Sequence, residues 1–434
     1  MNGIVMAGQL ILSLSILVLI HEFGHYIACR IFKIRVTKFF IFFDAGFKIW
    51  SKKIGETEYG IGWLPLGGYV KIAGMIDESL DTKQMKEEPK EWEFRSKPAW
   101  QRLIVMLAGV FMNVVAAIII LTFSHLIYTK DYLPVDNVKE GIYAYPYARE
   151  IGFQSGDKIR KINKKDVLRY EDVFSFDLYF AKTVTVERNG SLVEIQMPEN
   201  LYSYLKKGDE FIALHNFVFK VDSLVNGMPA QLAGIKPGAK ILEINSQPVS
   251  SFGAFREILM QNKNQELKFI VDNSGKIDTL KIQVDSLGKI GVYTPIPKYE
   301  MKNYNLITAF KYGWKDAFTS LTANLKGFSL IFKGQEKASE SLQGPIGIAK
   351  VYGPVWDWAK FWRLTGIISM ILAFMNLLPI PALDGGHALF TVFELITGKK
   401  LPDKFMEVVQ VIGMVILLLL MVFVIGNDII KLFK

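Results

Sequence analysis

Four long apolar stretches constrain this chain more than any other feature of its sequence. They cover about residues 3–28, 103–128, 361–383 and 405–428. Each reaches the roughly 20 residues that a helix needs to cross the hydrocarbon core of a bilayer. Within the first stretch, the motif HEFGH stands where a signal peptide would carry a small-residue cleavage site, so we interpret this stretch as a retained anchor. The sequence therefore predicts a polytopic α-helical membrane protein with about four transmembrane helices.

Composition agrees with a membrane location. Half of the 434 residues are hydrophobic, and the net charge of +9 is spread through the chain instead of forming a basic patch for nucleic acid. The single cysteine, Cys29, excludes an internal disulfide bond. We therefore expect the lipid bilayer as a partner, and no nucleic acid.

Positive charge near the ends of the apolar stretches indicates their orientation. Basic residues follow the first stretch and precede the second: Arg30, Lys33, Arg35, Lys38, Lys97 and Arg102. The loop between these stretches is therefore expected in the cytoplasm, with the N-terminus and the region between the second and third stretches outside. Lys360 and Arg363, before the third stretch, favour the opposite orientation.

The region between the second and third stretches contains a repeat. Residues 145–167 align without gaps on residues 227–249, at a constant offset of 82 positions (227 − 145). The matched pairs are Gly152 and Gly234, Gly156 and Gly238, Ile159 and Ile241, Asn163 and Asn245, and Val167 and Val249. Each copy reads as a short helix, a glycine turn, an alternating strand and a tight turn at the asparagine.

This pattern resembles the PDZ domains of bacterial proteases, and the second copy is the closer match. PDZ domains bind extended peptides at a sheet edge, but such domains also serve as spacers or steric gates. The resemblance implies two α+β PDZ-like domains inserted between membrane parts. We expect an N-terminal membrane part over 1–129, PDZ-like domains over 130–215 and 216–297, and a C-terminal membrane part over 298–434 that consists of a linker and two spans.

A glycine-rich segment in the cytoplasmic loop predicts a membrane-associated β-hairpin. Residues 57–74, TEYGIGWLPLGGYVKIAG, read as two short strands, one at Glu58–Gly60 and one at Tyr69–Ile72, around a bend. A strand inside lipid needs a partner for its backbone groups. An extended substrate could supply that partner at Tyr69 and Val70.

The motif HEFGH places ionisable side chains inside the first apolar stretch. On a helix, His21 and His25 are at positions i and i+4 and project from one face, where both imidazoles can bind one zinc ion. Glu22 lies beside them and can activate a water molecule. The alternative is a pair of buried histidines with a glutamate that caps a helix. Three ionisable groups in a membrane span need a compensating partner, which favours the metal site.

A third ligand is expected in residues 374–387, FMNLLPIPALDGGH. His125, His215 and His387 are further candidates, but Pro379 and Pro381 break the helix before Asp384, and broken backbone at membrane depth is tolerated where it lines a site. His21 lies about 18 residues into its helix and Asp384 about 20 residues into its own, which is roughly 27 Å and 30 Å at 1.5 Å per residue. Both therefore fall near the cytoplasmic leaflet, which gives a site of two histidines and one aspartate.

These motifs together resemble the site-2 protease family of intramembrane zinc metalloproteases. Within this family the arrangement is similar to the bacterial regulator-of-sigma-E proteases, which have tandem PDZ domains. The segments 94–113 and 342–350 also resemble family segments, whereas Val110 stands where the second span of the family usually has proline. The resemblance implies that His21, His25 and Asp384 bind Zn²⁺ and that Glu22 activates the water.

The resemblance also assigns roles to further polar residues. Asn376 would hold the substrate backbone or the developing oxyanion, although a hydrogen bond between helices is an alternative for this amide. The same two roles are open for Asn113, with the helix–helix contact favoured. His387 is at position i+3 from Asp384, where a role beside the ligands or at the interface is favoured over that of a fourth ligand.

The sequence thus predicts an intramembrane zinc endopeptidase of the bacterial inner membrane. Its active site would lie near the cytoplasmic leaflet, and its PDZ domains would lie on the extracytoplasmic side. The family resemblance implies that the substrates are single-pass membrane proteins already trimmed by another protease, such as anti-sigma factors, and remnant signal peptides. Two rival hypotheses are a metal transporter with the same ligands, which would need polar residues along several spans, and an inactive PDZ scaffold.

Overall fold

The computed structural model describes residues 2–64, 67–75, 88–199, 201–205, 210–215, 220–293, 300–334 and 336–432. Contacts divide the chain into two compact units. Unit 1 consists of Met1–Lys130 and Tyr304–Lys434, and unit 2 consists of Asp131–Asn303. The predicted domain boundary at 215/216 adjoins residues 216–219, which lie outside the described residues. The predicted boundary at 297/298 falls within residues 294–299, which lie outside them as well.

Unit 1 begins with two long helices and a small sheet between them. The elements are α1 (Asn2–Ile31), β1 (Val36–Ile41), β2 (Phe43–Ile54), β3 (Thr57–Leu64), β4 (Tyr69–Ile72) and α2 (Ala99–Ser124). In α1 and α2 the apolar residues are not confined to one stripe, as expected for helices that lipid and protein surround on all sides.

The sheet differs from the predicted hairpin. Its strand order is β2-β3-β1-β4, so β3 and β4 do not pair with each other. The strand β1 lies between them, parallel to β3 and antiparallel to β4. Residues 65–66 of the predicted bend lie outside the described residues.

The central position of β1 follows from its side chains. Its apolar run VTKFFI contains Val36 and Phe40, which are fully buried, as is typical of a strand with neighbours on both sides. Gly60 on β3 leaves room for the Phe40 ring, because a Cβ atom there would lie 2.4 Å from that ring. Among the described strands, β4 lies at the edge of the sheet.

The described residues of unit 2 form nineteen α-helices and β-strands, most of them short. They are β5 (Asp131–Tyr132), β6 (Ile142–Ala144), α3 (Pro146–Ile151), β7 (Lys158–Ile162), β8 (Lys165–Asp166), α4 (Phe176–Tyr179), β9 (Thr183–Arg188), β10 (Ser191–Gln196), α5 (Leu201–Leu205), β11 (Ile212–Leu214), β12 (Ser223–Leu224), α6 (Pro229–Leu232), β13 (Lys240–Ile244), β14 (Gln247–Pro248), α7 (Phe252–Gln261), β15 (Glu266–Asn273), β16 (Lys276–Gln283), β17 (Val292–Tyr293) and, completing a pair with β5, β18 (Lys302–Asn303).

The two halves of unit 2 have the same strand order. The first half forms a sheet in the order β10-β9-β7-β8, and the second forms one in the order β16-β15-β13-β14. Each half has a separate hydrophobic core. The repeated asparagines Asn163 and Asn245 both have a φ of 48°, and their side chains accept hydrogen bonds from Lys182 and Lys268 amides. The offset of 82 therefore relates two copies of one local structure.

The rest of unit 1 is helical. It comprises α8 (Leu306–Phe332), α9 (Ala338–Ser341), α10 (Pro345–Tyr352), α11 (Trp358–Leu377), α12 (Asp384–Thr397) and α13 (Asp403–Leu432). The sequence predicts only a linker before the third span, so α8 corrects that expectation. Three lysines interrupt its apolar residues and hide the helix from a reading of hydropathy. It packs so closely on α2 that a Cβ atom on Gly313 would lie 2.5 Å from Thr122.

Four helices of the described chain are long and apolar enough to cross a membrane. They cover Gly3–Ile31, Ala99–Thr129, Trp358–Leu377 and Lys404–Lys431, in agreement with the four apolar stretches. The third ends at Leu377 instead of residue 383, because the prolines at 379 and 381 lack the amide hydrogen that would extend it. The chain is therefore a polytopic membrane protein.

Candidate active site

The first part of the candidate site lies on α1. Because His21 and His25 are one helical turn apart, their Nε2 atoms come within 3.3 Å of each other. Both side chains are buried, with 8% and 6% of their surface exposed. Two imidazoles that are this close and this buried need a shared partner.

Asp384, which is more than 350 residues further along the chain, is that partner. Its Oδ2 atom lies 3.0 Å from Nε2 of His21 and 3.3 Å from Nε2 of His25. The chain can approach closely here because residues 385 and 386 are glycines. A Cβ on Gly385 would lie 2.2 Å from the Leu378 carbonyl oxygen, so a side chain would push α12 away from the end of α11.

The geometry of these atoms fits a zinc ion. A tetrahedral zinc with ligand bonds of about 2.0–2.1 Å holds its ligand atoms about 3.3 Å apart. The three separations observed here are 3.0, 3.3 and 3.3 Å. The Oδ2 atom of Asp384 is buried and has no hydrogen-bond donor within the described chain. Two imidazoles and one carboxylate also form the donor set of catalytic zinc, which keeps its fourth position open.

The backbone of α2 fixes the imidazole of His25. Its Nδ1 atom lies 2.8 Å from the carbonyl oxygen of Val105, which can only accept a hydrogen bond. The ring therefore carries its proton on Nδ1 and presents the Nε2 lone pair to the site. Gly109, one turn further along α2, allows this approach, since a Cβ atom there would lie 2.4 Å from Nε2 of His25.

Glu22 and the edge strand β4 lie beside the three donor atoms. The carboxylate of Glu22 is within hydrogen-bonding reach of the Val70 amide. Tyr69 is held in the sheet, because its hydroxyl group donates to Asp44 at 2.9 Å and its ring stacks on Phe40 and Phe43. The backbone of Val70 is thus the part of β4 that faces the site, and Tyr69 orients the strand.

The hydrogen bonds around Tyr69 also affect Asp44. Burial by itself would raise the pKa of the Asp44 carboxyl group, but hydrogen bonds from Lys38 and Tyr69 outweigh it and hold that pKa below its ordinary value. Asp44 is therefore charged at neutral pH and anchors both partners.

A cavity of about 470 Å³ contains the whole group. This volume is within the range of about 300–1,000 Å³ that is typical of ligand-binding pockets. The candidate residues that line it are His21, Glu22, His25, Tyr69, Val70, Asn113, Asn376, Asp384 and His387. The Nδ2 atom of Asn376 lies 3.3 Å from Nε2 of His21, next to the three donor atoms.

The other candidate histidines lie apart from the donor group. His387 lines the cavity, but it is not one of the three residues whose donor atoms converge. His125 pairs with Asp316 in unit 1, with a distance of 2.9 Å between Nε2 and Oδ2. His215 belongs to unit 2 and packs on Tyr143.

Sequence reasoning missed Gln410 on α13. This side chain is 4% exposed and lines both the main cavity and a neighbouring cavity of about 70 Å³. Gly413 holds α13 against the broken segment, because a Cβ atom there would lie 2.1 Å from the Pro381 carbonyl oxygen. An isolated amide in a long apolar span is a signal that could have identified Gln410 from the sequence.

Comparison with known proteins identifies the family of the chain. The model of peptidase family M50, the family of the site-2 proteases, matches residues 9–420. A putative zinc metalloprotease of Neisseria meningitidis is 26% identical, over 97% of this chain and 98% of the relative. A relative with the same description from Clostridium acetobutylicum is 28% identical, over 97% of this chain and 96% of the relative. Another, from Rickettsia conorii, is 28% identical over 98% of both chains. The chain therefore belongs to peptidase family M50 and is a zinc metalloprotease of the membrane.

Proposed function

We propose that this enzyme hydrolyses peptide bonds inside the transmembrane segments of single-pass membrane proteins. The observation that carries the proposal is the depth of the donor group in its helix. His21 lies 18 residues from one end and 10 from the other of the apolar helix Gly3–Ile31 (21 − 3 and 31 − 21). At 1.5 Å per residue, the nearer end is about 15 Å away. A substrate bond that reaches this depth lies within the bilayer.

The side chains divide the chemistry among them. We assign His21, His25 and Asp384 as the residues that would hold the zinc ion, which would supply Lewis-acid chemistry at the scissile carbonyl group. Glu22 takes a proton from the attacking water and returns it to the leaving amine. Asn376 donates a hydrogen bond to the oxyanion that develops on the carbonyl oxygen, a role that its amide nitrogen beside His21 supports.

The substrate must unwind before it can react, because a helix hides its amides in i→i−4 hydrogen bonds. β4 lies at the edge of the sheet, where an unwound segment would add as a further strand through Val70. Gln410 contributes an amide from α13 to the same cavity and can bind the substrate backbone as well. The cavity would thus select an extended backbone and not a particular side chain.

The proposed orientation rests on the charge pattern of the sequence, and the proposed substrates rest on the family resemblance. Basic residues around the first loop favour a cytoplasmic position for that loop and an extracytoplasmic position for unit 2. We propose an inner-membrane enzyme that performs the second step of regulated proteolysis, on anti-sigma factors or remnant signal peptides trimmed by another protease. The two copies in unit 2 would be PDZ-like domains that bind peptides or exclude untrimmed substrates. The transporter and inactive-scaffold hypotheses lose support, because the chain belongs to a protease family and retains Glu22.

The substitution Glu22→Gln tests the proposal. The variant should keep zinc, because Glu22 is not among the three donor residues, and should lose cleavage of a single-pass substrate in liposomes. Glu407→Gln, on α13, is a control for removal of a carboxylate outside the cavity and should stay active. Mass spectrometry of the products locates the scissile bond. Undiminished cleavage by Glu22→Gln, or a scissile bond outside the apolar segment, would refute the proposal.

A second experiment addresses the natural substrates. Membrane proteomes of cells with the wild-type enzyme and with Glu22→Gln are compared. We expect short membrane-spanning fragments to accumulate with the inactive enzyme. If no fragment differs between the two, the proposed role in regulated proteolysis is wrong even if the purified enzyme cleaves model substrates.

A further inference from the structure

Asn113 on α2 is a buried polar residue whose side chain contacts the donor group. Only 1% of its surface is exposed, and its Nδ2 atom lies 3.2 Å from Nδ1 of His21. Its other amide atom, Oδ1, is buried and has no hydrogen-bond partner within the described chain. His21 is thus the polar side-chain contact that the described structure shows for this amide.

The chemistry of a histidine ligand decides which amide atom must face His21. A neutral imidazole that binds metal through Nε2 carries its proton on Nδ1, and that proton needs an acceptor. For His25 the acceptor is the carbonyl oxygen of Val105. For His21 the group at the same ring position is the Asn113 amide. The oxygen and nitrogen of an amide have nearly the same shape, so they are distinguished by their hydrogen bonds.

We propose that Asn113 is a positioning residue that accepts a hydrogen bond from Nδ1 of His21 through its amide oxygen. This bond holds the His21 ring in the tautomer and orientation that present Nε2 to zinc. The inference rests on the proposed role of His21 as a ligand. The bond also joins α2 to α1, so it adds a role at the donor group to the helix–helix contact that the sequence favours for Asn113.

The backbone around Asn113 supports this role. The hydroxyl group of Ser369 on α11 donates to the Asn113 carbonyl oxygen at 2.7 Å, which fixes α2 at this position. Gly109, one turn earlier, lets both imidazoles lie against the helix. The amide is therefore held where a small shift would separate it from His21.

The test compares variants that keep or remove the acceptor. Asn113→Asp keeps an oxygen acceptor of the same size and should bind zinc within a few-fold of wild type. Asn113→Leu has a similar shape but no acceptor, and Asn113→Ala is smaller. Both should lose affinity by about 10–100-fold, the usual effect of removing a partner of a metal-binding histidine. Zinc affinity is measured on the full chain in detergent, by competition with a chromophoric chelator.

Three controls separate the possible causes. Thermal unfolding of the metal-free variants reports the fold, and Asn113→Ala serves if the leucine variant does not fold. Ser369→Ala removes the contact to the Asn113 backbone but not the amide, and should lower zinc affinity less than Asn113→Leu does. His21→Ala should lose zinc, and if it does not, the proposed ligand set fails. Suppose that His21→Ala loses zinc but folded Asn113→Leu and Asn113→Ala bind it like wild type; the positioning role is then refuted, and the ligand set stands. The same conclusion follows if Asn113→Asp loses as much affinity as Asn113→Leu and Asn113→Ala.

Discussion

Gly109→Ala is the substitution for which the structure predicts the sharpest effect. An alanine Cβ atom would lie 2.4 Å from Nε2 of His25, 2.7 Å from Cε1 of His21 and 2.9 Å from its Nδ1. Ordinary contacts begin at 3.4 Å, so the His25 ring or the helix must move by 1.0 Å (3.4 − 2.4). Neither ring can swing away freely, because the Val105 carbonyl oxygen holds one and Asn113 contacts the other.

A displacement of this size is large for a metal site. Ligand distances are expected to stay within about 0.2 Å of their ideal values. We therefore expect Gly109→Ala to lose zinc affinity by about 100-fold or more, at the upper end of the effects seen when the surroundings of a ligand change. In the absence of a clash, alanine would instead stabilise the helix by about 1 kcal/mol relative to glycine. The clash and the helix propensity thus act in opposite directions.

The assay combines zinc competition with thermal unfolding of the metal-free protein. Gly426→Ala on α13 is the matched control, because a Cβ atom there has no neighbour within 4 Å. It should leave zinc affinity unchanged. The reasoning is refuted if Gly109→Ala folds normally and binds zinc within about twofold of the control, since the α2 backbone would then not limit the ligand geometry.

Three further predictions concern other parts of the chain. Gln410→Leu should raise the KM for a transmembrane substrate with little change in kcat or zinc content. Val411 is 37% exposed, and the control Val411→Leu should leave KM unchanged. An unaltered KM for Gln410→Leu would exclude a substrate contact. Asp428→Leu should lower the thermal stability of the detergent-solubilised chain, because the Asp428 carboxylate accepts hydrogen bonds from the amides of Gly344 and Gly347 at 3.0 and 2.9 Å. Each buried amide left without a partner costs about 1–3 kcal/mol. Asp428→Asn keeps one acceptor and should lose less stability. Burial alone would raise the pKa of Glu257, but hydrogen bonds from Arg149 and Tyr143 hold it below its ordinary value of 4.5. The stability that the charged Glu257 contributes is therefore present above pH 4.5 and is lost as the pH falls through the lowered pKa. Unfolding midpoints at pH 7 and pH 3 should differ less for Glu257→Gln than for wild type.

Local periodicity made half of the candidate site predictable. His21, Glu22 and His25 are neighbours on a single helix, so their spacing determines which side chains share a face whatever the rest of the chain does. The apolar stretches likewise predict the four spans, because length and composition decide whether a helix can cross a bilayer. The prolines before Asp384 end a helix through their own covalent structure.

Partners that are distant in the chain were decided by packing. The position of β1 between β3 and β4 depends on which strands pair, and the hairpin expected from residues 57–74 overlooked a third strand. α8 was missed because its lysines hide an apolar face that becomes visible only against α2.

The site shows the same division. The sequence by itself determined that two histidines and a glutamate share one face of a membrane helix, and the depth of Asp384 indicated the third donor. Only the tertiary structure placed the donor atoms at separations of 3.0–3.3 Å, set Gly109 and Asn113 against the imidazoles, and brought Gln410 to the cavity. The physical reason is that a helix repeats every 3.6 residues regardless of context, whereas contacts between helices depend on which side chains leave room for a neighbour.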